Sequence, residues 1–376
     1  MQINIHSKIN QIPEEDWNHL VKDNNPFLRH EFLHALENNH CVSDDFGWRP
    51  CHIAITENDA LVACMPLYSK TNSYGEFVFD HAWAEAYERN GLAYYPKLVS
   101  SIPYTPASGQ RLLCEPEREE ELFPLLFQTV QTFATQQNLS SFHCLFPLSN
   151  EQDWMEENGL LTRHDCQFHW HNQDYQDFDA FLEKLEKKKR KNIRQERRRV
   201  EQQNITLRQL NGHTATDKDW HDFALFYSQT FAEKYGTATL NEGFFKEVAE
   251  KLPNNILLVL ADAPDGECIA GSLMFSSDTT LYGRHWGCIE QVDKLHFEAC
   301  YYQGIDYCIE NNLQVFEPGA QGEHKIARGF VPTSTRSSHW LNDSPFEQSI
   351  RDFVKHEKVA VAQYMKSLKT PYKDEL

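Results

Sequence analysis

The sequence predicts a mixed α/β (α+β) protein made of two tandem lobes, each with a mixed, mostly antiparallel sheet flanked by helices. The chain has 376 residues, which is enough for two or three domains with their own cores. Apolar residues recur at helical spacing in some segments and alternate in others, so helices and strands are both expected. One order of elements also occurs twice, which favours two copies of one lobe.

The repeated order is a helix, a hairpin and a third strand. Helices at 30–38 and 243–251 precede the two copies. The strand-like runs that follow are 50–56, 61–69 and 76–81 in the first half, and 256–262, 268–276 and 280–287 in the second. We therefore expect a first lobe at residues 1–165 and a second at residues 166–376.

Other segments complete this assignment. A charged helix at about 178–203 is expected to lead into the second lobe. Residues 318–338 are polar and contain glycine, which predicts a loop. The remaining expected elements are helices at 117–137, 218–233, 293–311 and 345–368, and strands at 141–146 and 313–317.

Charge and composition exclude several classes of protein. The net charge of −19 disfavours a general nucleic-acid binder, although ten Lys/Arg and two Glu stand between Lys184 and Arg199. The sequence has no long apolar run and no secretory signal, so we expect a cytoplasmic protein with reduced cysteines. The C-terminal Lys373-Asp-Glu-Leu376 resembles an ER-retention signal, which we interpret as coincidental.

One motif suggests a zinc peptidase as a remote alternative. His30, Glu31 and His34 fit H-E-x-x-H, which places two imidazoles one helical turn apart. The extended pattern needs a glycine where Glu37 stands, and the segment also fits an ordinary amphipathic helix. We therefore predict no metal site.

The segment 282–328 carries the densest set of chemical groups. It follows predicted strands, at whose ends ligands of open α/β sheets tend to bind. Acyl transfer to an amine needs a base and donors that stabilise the oxyanion, and backbone N–H groups at 319–322 are candidate donors. The predicted catalytic residues are Glu317, His324, Glu298 and His285. The predicted substrate-binding residues here are Arg284, Trp286, His296, Tyr301, Gln321, Glu323, Lys325 and Arg328.

Polar residues of the first half are candidates for holding an acceptor. They follow predicted strands or lie in the turn-rich loop 103–109, although their aromatic members could equally fill a core. These candidates are Lys70, Asp80, Trp83, Lys97, Thr105 and Arg111.

Several strings resemble the FemAB-like predicted N-acyltransferases, a family described by peptidoglycan biosynthesis and recognition. The resemblance spans about residues 15–360. Its strings begin at Ser73 (SYGEFVFDHAW), Tyr94 (YYPKL), Pro103 (PYTPASGQRLL), Gln167 (QFHW), Lys189 (KRKNIRQER), Leu295 (LHFEACYYQGI) and Gly319 (GAQGEHK).

The resemblance implies two GNAT-like lobes and transfer of an acyl or aminoacyl group to an amine, with a peptidoglycan precursor as one acceptor. The implied donor is aminoacyl-tRNA or acyl-CoA, and no permanently bound cofactor is expected. A Q/R-x-x-G-x-G/A loop is missing from 287–296, which counts against CoA. The basic helix would contact tRNA through Lys188, Arg190, Lys191, Arg194 and Arg198, or would simply be solvated. The alternative is a non-catalytic module that binds a cell-wall peptide or a nucleotide sugar.

Overall fold

The computed structural model describes residues 1–233, 236–320 and 322–373, and the chain forms two compact units. Unit 1 comprises Met1–Cys166 and Ser334–Met365, and unit 2 comprises Gln167–Thr333 and Lys366–Leu376. Two sequence interpretations fall outside the described residues. They concern Gln321 and the last three residues of the Lys-Asp-Glu-Leu terminus.

Unit 1 contains two sheets, with strand orders β1-β3-β4-β7 and β2-β5-β6-β8-β15. The strands are β1 (Gln2–His6), β2 (Trp48–Pro50), β3 (His52–Glu57), β4 (Ala60–Met65), β5 (Tyr68–Lys70), β6 (Lys97–Ser100), β7 (Leu113–Cys114), β8 (Ser141–Leu145) and β15 (Val331–Leu341). The helices are α1 (Glu14–His19), α2 (His30–Asn38), α3 (His81–Arg89), α4 (Glu119–Gln136), α5 (Ser149–Glu157) and α12 (Glu347–Ser367).

The main core of unit 1 lies under α4. This helix buries one stripe at helical spacing, including Leu122, Leu126 and Val130. The stripe belongs to one cluster with Ile53 of β3 and Phe142 of β8. Burying a side chain of this size removes apolar surface from water and contributes about 1.5–3 kcal/mol.

Residues 334–365 belong to unit 1, which corrects the expected assignment of 166–376 to the second lobe. The segment 318–338 was predicted to be a loop, but β15 begins inside it. β15 pairs antiparallel with β8, from Ser337 opposite Leu145 to Leu341 opposite Ser141. Its buried residues include Thr335, Ser337, Ser338 and His339, so most of this strand shows no hydrophobic alternation.

The predicted strand at 76–81 is wrong. Its residues form a turn-rich segment in which Gly75 and Phe77 have positive φ, and α3 begins at its end. The third strand is β6, which pairs antiparallel with β5 and parallel with β8. The buried side chains of Glu76 and Asp80 turn this segment inward toward Lys97 of β6, and hydrophobic periodicity does not encode that interaction.

Unit 2 is built on one sheet with the order β10-β11-β12-β13-β14-β9. The strands are β9 (Leu161–His171), β10 (Thr206–Leu210), β11 (Ile256–Asp262), β12 (Cys268–Ser276), β13 (Thr280–Cys288) and β14 (Val315–Glu317). The helices are α6 (Phe178–Lys184), α7 (Lys187–Gln202), α8 (Asp217–Glu233), α9 (Glu242–Lys251), α10 (Leu295–Phe297), a π-helical turn (Glu298–Tyr302) and α11 (Gln303–Glu310).

Each unit contains one parallel strand pair in a mostly antiparallel sheet. In unit 1 it is β6 with β8, with α4 between them in the chain. In unit 2 it is β13 with β14, with α10 and α11 between them. The two units thus share a strand–helix–strand crossover, which differs from the predicted repeat of a helix, a hairpin and a third strand.

The charged segment 178–203 is two helices and not one. The break is at Leu185, which has extended backbone and forms a bridge with Tyr372. Within the described ranges, no helix is both long enough and apolar enough to cross a lipid bilayer.

A close approach between α8 and β13 gives a test of the packing in unit 2. A Cβ atom on Gly287 would lie 2.3 Å from the backbone carbonyl of Phe226. We expect Gly287→Ala to lower the free energy of unfolding by about 1–3 kcal/mol, because α8 must move. Gly266→Asn is the control, because nothing lies within 4 Å of that position and Asn tolerates positive φ. Urea unfolding of both variants checks this, and equal effects would contradict it.

Candidate active site

The site in unit 2 begins where β13 and β14 stop pairing. Their parallel register ends at Tyr282 opposite Glu317, although β13 continues to Cys288. Against β12, Gly283 and His285 pair with consecutive residues, so Arg284 is the extra residue of a β-bulge. Bulges re-aim side chains next to active sites. Here the Arg284 Nη2 atom lies 3.9 Å from Glu317 Oε2, and the two side chains are 2% and 8% exposed.

A second cation lies over the loop after β14. Lys325 is buried, and its Nζ donates a hydrogen bond of 2.7 Å to the carbonyl oxygen of Gly319. Burial, and then the charge of Arg284, lower the pKa of Lys325 to about 7. Burial also lowers the pKa of Arg284 to about 10, partly offset by Glu317, so this guanidinium stays charged at neutral pH.

Three aromatic rings, which we call the aromatic wall, lie at the end of β13 and in the helical segment that follows it. Rings of Trp286, His296 and Tyr301 follow one another at centroid distances of 5.3 and 5.4 Å. Tyr301 lies in the π-helical turn, and its hydroxyl forms a 2.9 Å hydrogen bond with Nε2 of His324. π-Helical turns widen a helix locally and are frequent at functional sites. Burial, and then the charge of Arg328, lower the pKa of His324.

The inner face of α7 holds the residues next to this wall through three ion pairs. Glu196 accepts hydrogen bonds from Arg328 at 2.9 and 3.0 Å and from the hydroxyl of Tyr302. Arg197 contacts Glu298 at 3.1 Å and Asp306 at 2.7 Å. The sequence analysis did not identify Glu196 and Arg197 as site residues, because they lie in a segment that reads as uniformly basic. The presence of Glu196, an acidic residue within this basic segment, was the sequence feature that could have identified them.

Comparison with known proteins agrees with this architecture. The model of the FemAB-like family, described by peptidoglycan biosynthesis and recognition, matches residues 8–374. The chain belongs to the FemAB-like family. No curated protein matches it.

Three solved structures share the fold of this FemAB-like chain at low identity. FemX is 11% identical with a TM-score of 0.55, covering 93% of this chain and 100% of its own. L-PGS from Bacillus licheniformis is 9% identical with a TM-score of 0.52, covering 86% and 95%. The C-terminal domain of a putative lysylphosphatidylglycerol synthetase from Agrobacterium fabrum is 8% identical with a TM-score of 0.53, covering 92% and 96%. These likenesses concern the fold alone, and they agree with the predicted mixed α/β class.

Two predicted catalytic residues, His285 and Glu298, contact other residues than Arg284 and Glu317. His285 points to the other side of β13, where its ring packs at 5.0 Å from Tyr227, and burial lowers its pKa to about 3. Its half-buried ring therefore packs against α8 and does not pair with Glu317. Glu298 accepts from Arg197 and Gln303, which gives it a positioning role. Glu323 lies in the exposed part of the short helix Glu323–Arg328.

The outer face of α7 carries the predicted nucleic-acid contacts. Lys188, Lys191, Arg194 and Arg198 are exposed, and Arg190 is half-buried. An open groove is lined by basic and glutamine side chains of this helix, namely Lys187, Arg190, Lys191, Arg194, Gln195, Arg198, Arg199 and Gln202. Arg194 also contacts Asp179 at 2.8 Å, and both side chains are exposed, so this pair is weak. A row of cations is thus available to a polyanion.

Lys97 is the centre of a buried charge cluster in unit 1. Its Nζ contacts Glu76 at 2.8 Å, Ser73 at 2.9 Å and also Asp80. The hydroxyl of Tyr94 donates to the same Asp80 oxygen at 2.5 Å. Burial raises the pKa of Glu76 to about 7, partly offset by Lys97. Lys70 lies over the ring of Trp48, 3.7 Å from its centroid, and burial lowers its pKa to about 7.

A pair of buried histidines extends this cluster. Nδ1 of His143 and Nδ1 of His339 are 2.6 Å apart, so one ring donates and the other accepts. His143 also contacts Ser141 and Tyr94, and His339 contacts Ser337. Burial lowers the pKa of both rings well below the usual value, and nearby cations act in the same direction for His143. Trp83 packs edge-on against His339 at 5.2 Å.

Other predicted residues of the first half make internal contacts. Arg111 is fully buried and donates to the carbonyls of Leu145, Gln110 and Ala107. Thr105 donates to the carbonyl of Pro103. These bonds hold the loop before β7.

The H-E-x-x-H segment is engaged within unit 1. Nε2 of His30 bonds the carbonyl of Ile9 at 3.0 Å, and Glu31 pairs with Arg29 at 2.6 Å. Over the described part of the chain, no group of three or more potential ligands could hold a metal ion. The zinc-peptidase alternative therefore has no support in the structure.

The histidine pair predicts acid sensitivity. Both rings are neutral in the folded state, and unfolded histidine has a pKa near 6.5, so unfolding binds protons below that pH. Stability is therefore lost as pH falls below about 6.5, by up to about 1.4 kcal/mol per pH unit for each ring. We expect His339→Asn to make this dependence shallower, as measured by urea unfolding at pH 5.5 and 7.5. His40→Asn, at an exposed histidine, is the control, and equal slopes for wild type and His339→Asn would refute the assignment.

Proposed function

We propose that this protein is an N-acyltransferase that moves an aminoacyl or acyl group to an amine at the ends of β13 and β14. The observation that carries this proposal is the buried carboxylate of Glu317 beside Arg284 at the bulge, with Lys325 over the same loop. A base and a fixed positive field within one buried site suit a reaction in which an amine loses a proton and an oxyanion forms.

The proposed step assigns one role to each of these groups. The amine nitrogen attacks the carbonyl carbon of the donor, and Glu317 takes the proton that the nitrogen loses. Arg284 stabilises the negative oxygen of the intermediate. The bond between the carbonyl carbon and the leaving atom then breaks, and the ammonium of Lys325 protonates the leaving group. A pKa near 7 suits that exchange at neutral pH.

The aromatic wall would position the substrate. Trp286, His296 and Tyr301 offer flat faces, and the hydroxyl of Tyr301 is already oriented by His324. His324 is the second candidate base, because its low pKa keeps the ring neutral. We assign it the lesser role, since Glu317 is the group beside the cations.

An aminoacyl-tRNA is the donor that the surface charge favours. The outer face of α7 presents several cations, which would neutralise backbone phosphates. The structurally similar domain from Agrobacterium fabrum belongs to a putative lysylphosphatidylglycerol synthetase, a name that also implies joining an amino acid to an acceptor. Acyl-CoA is the alternative donor. The family description supports a peptidoglycan precursor as the acceptor.

A non-catalytic module that recognises a cell-wall peptide or nucleotide sugar is the second candidate function. The family description includes recognition, and the aromatic wall would serve a binder equally well. The two functions differ in whether Glu317 changes turnover or only affinity.

Substitution of Glu317 distinguishes the two functions. We expect Glu317→Gln to lower transfer from aminoacyl-tRNA to an amine by about 10²–10⁴-fold, because the base is lost while the shape is kept. Donor binding should stay within about threefold. Glu310→Gln, at an exposed carboxylate at the end of α11, is the control. Substrate binding without turnover by the wild-type protein, for every donor tried, would instead favour the binding module.

The donor assignment predicts salt-dependent tRNA binding through α7. The double substitution Lys188→Gln and Lys191→Gln should weaken filter retention of tRNA and reduce the log–log salt slope by about 1–2, since each phosphate contact contributes about 0.7–0.9. Lys355→Gln with Lys366→Gln removes the same charge from α12 and should change neither quantity. Failure of the wild-type protein to retain tRNA at low salt would eliminate this donor.

A further inference from the structure

Unit 1 contains a cavity that the proposed reaction does not use. Its volume is about 150 Å³, and every residue that lines it belongs to unit 1. A cavity of that size holds a molecule about as large as benzene. The apolar part of its wall is formed by Val78, Phe79, Phe146 and Val361.

Two buried polar atoms of this wall, Nε2 of His164 and Oγ1 of Thr335, have no hydrogen-bond partner among the described residues. Thr335 is 6% exposed. Leaving such an oxygen without a partner costs about 1–3 kcal/mol. Ser337, two residues further along β15, also lines the cavity, and its hydroxyl contacts Nε2 of His339 at 2.8 Å. When Ser337 donates to that ring, its oxygen can still accept.

The two arginines of the cavity wall are already neutralised. Arg163 forms contacts of 2.6–3.2 Å with Glu357 and donates to the carbonyl of Phe79 at 2.8 Å. Arg336 contacts Asp153 at 2.6 Å. These pairs commit the guanidinium groups to protein acceptors, so the wall offers an anion little that is unpaired.

Asp165 supplies the remaining charge. It lies at the exposed rim of the cavity, and its Oδ1 accepts the backbone N–H of Cys166 at 2.7 Å. Within the described ranges it forms no ion pair closer than 4 Å with a cation of this chain. The lining therefore offers the carboxylate of Asp165 in addition to the paired Glu357, two hydroxyl groups, the ring of His164 and two phenyl rings. A cation with several N–H donors complements that set.

We propose that this cavity binds a primary ammonium group carried on a chain of about four to six heavy atoms. Asp165 is its counter-ion, Thr335 and Ser337 accept its N–H groups, and the apolar wall covers its methylene chain. This binding is independent of the proposed function, because none of these residues belongs to the Arg284–Glu317 site.

The test uses the full chain, no acyl donor, and n-butylammonium as the probe. Ligand-observed NMR should give a dissociation constant on the order of 1 mM, as expected for so small a ligand. n-Butanol and butyrate, which match the chain but not the charge, should bind at least tenfold more weakly. Equal binding of butanol, or tighter binding of butyrate, overturns the proposal.

Two substitutions test the assigned contacts. Asp165→Asn should weaken n-butylammonium binding about tenfold, and Thr335→Val should weaken it about threefold or more. Thr335→Ser keeps the hydroxyl and should retain binding, which separates a lost contact from a fold defect. Glu156→Gln removes a carboxylate of unit 1 outside the cavity and should leave binding unchanged. Unchanged binding in Asp165→Asn overturns the proposal. Since no donor is present, that result would leave the role of Glu317 intact.

Discussion

The end of the parallel pairing between β13 and β14 is the constraint on which the site in unit 2 depends. Once the ladder stops at Tyr282 and Glu317, the bulge at Arg284 can turn a guanidinium toward the neighbouring strand. Burial then holds Arg284 and Glu317 close together and keeps water from screening them. Lys325 completes the field because its loop begins at the end of the same short strand.

The two faces of α7 differ in their contacts. Its inner face uses Glu196 and Arg197 to fix Arg328, Tyr302 and Glu298, which anchors the aromatic wall. Its outer face leaves a row of cations in solvent. Because desolvating a buried ion pair is costly, such a pair adds little to the free energy of folding, and we interpret these pairs as fixing the positions of their side chains. The exposed cations and the residues that hold the aromatic wall therefore belong to the same helix.

Unit 1 contains a cluster of buried charged side chains. Lys97, Glu76 and Asp80 form a compensated cluster, and the His143–His339 pair continues it toward Ser337 and the cavity. Such a network is stable only when each member finds a partner. Lys97 and His143 of this network lie on β6 and β8, and its other charged and histidine members lie on β15 and in the turn before α3, two segments whose secondary structure was predicted wrongly.

The sequence by itself determined the two-lobed α/β class, most helices and the hydrophobic strands, because amphipathic periods such as the α4 stripe are local. It also placed Glu317, Arg284 and Lys325 in one segment. Only the tertiary structure decided that β15 returns to unit 1, that His285 packs against Tyr227 and that Glu298 is held by Arg197. The physical reason is that buried polar side chains find their partners across long separations in the chain, and no local period records such pairings.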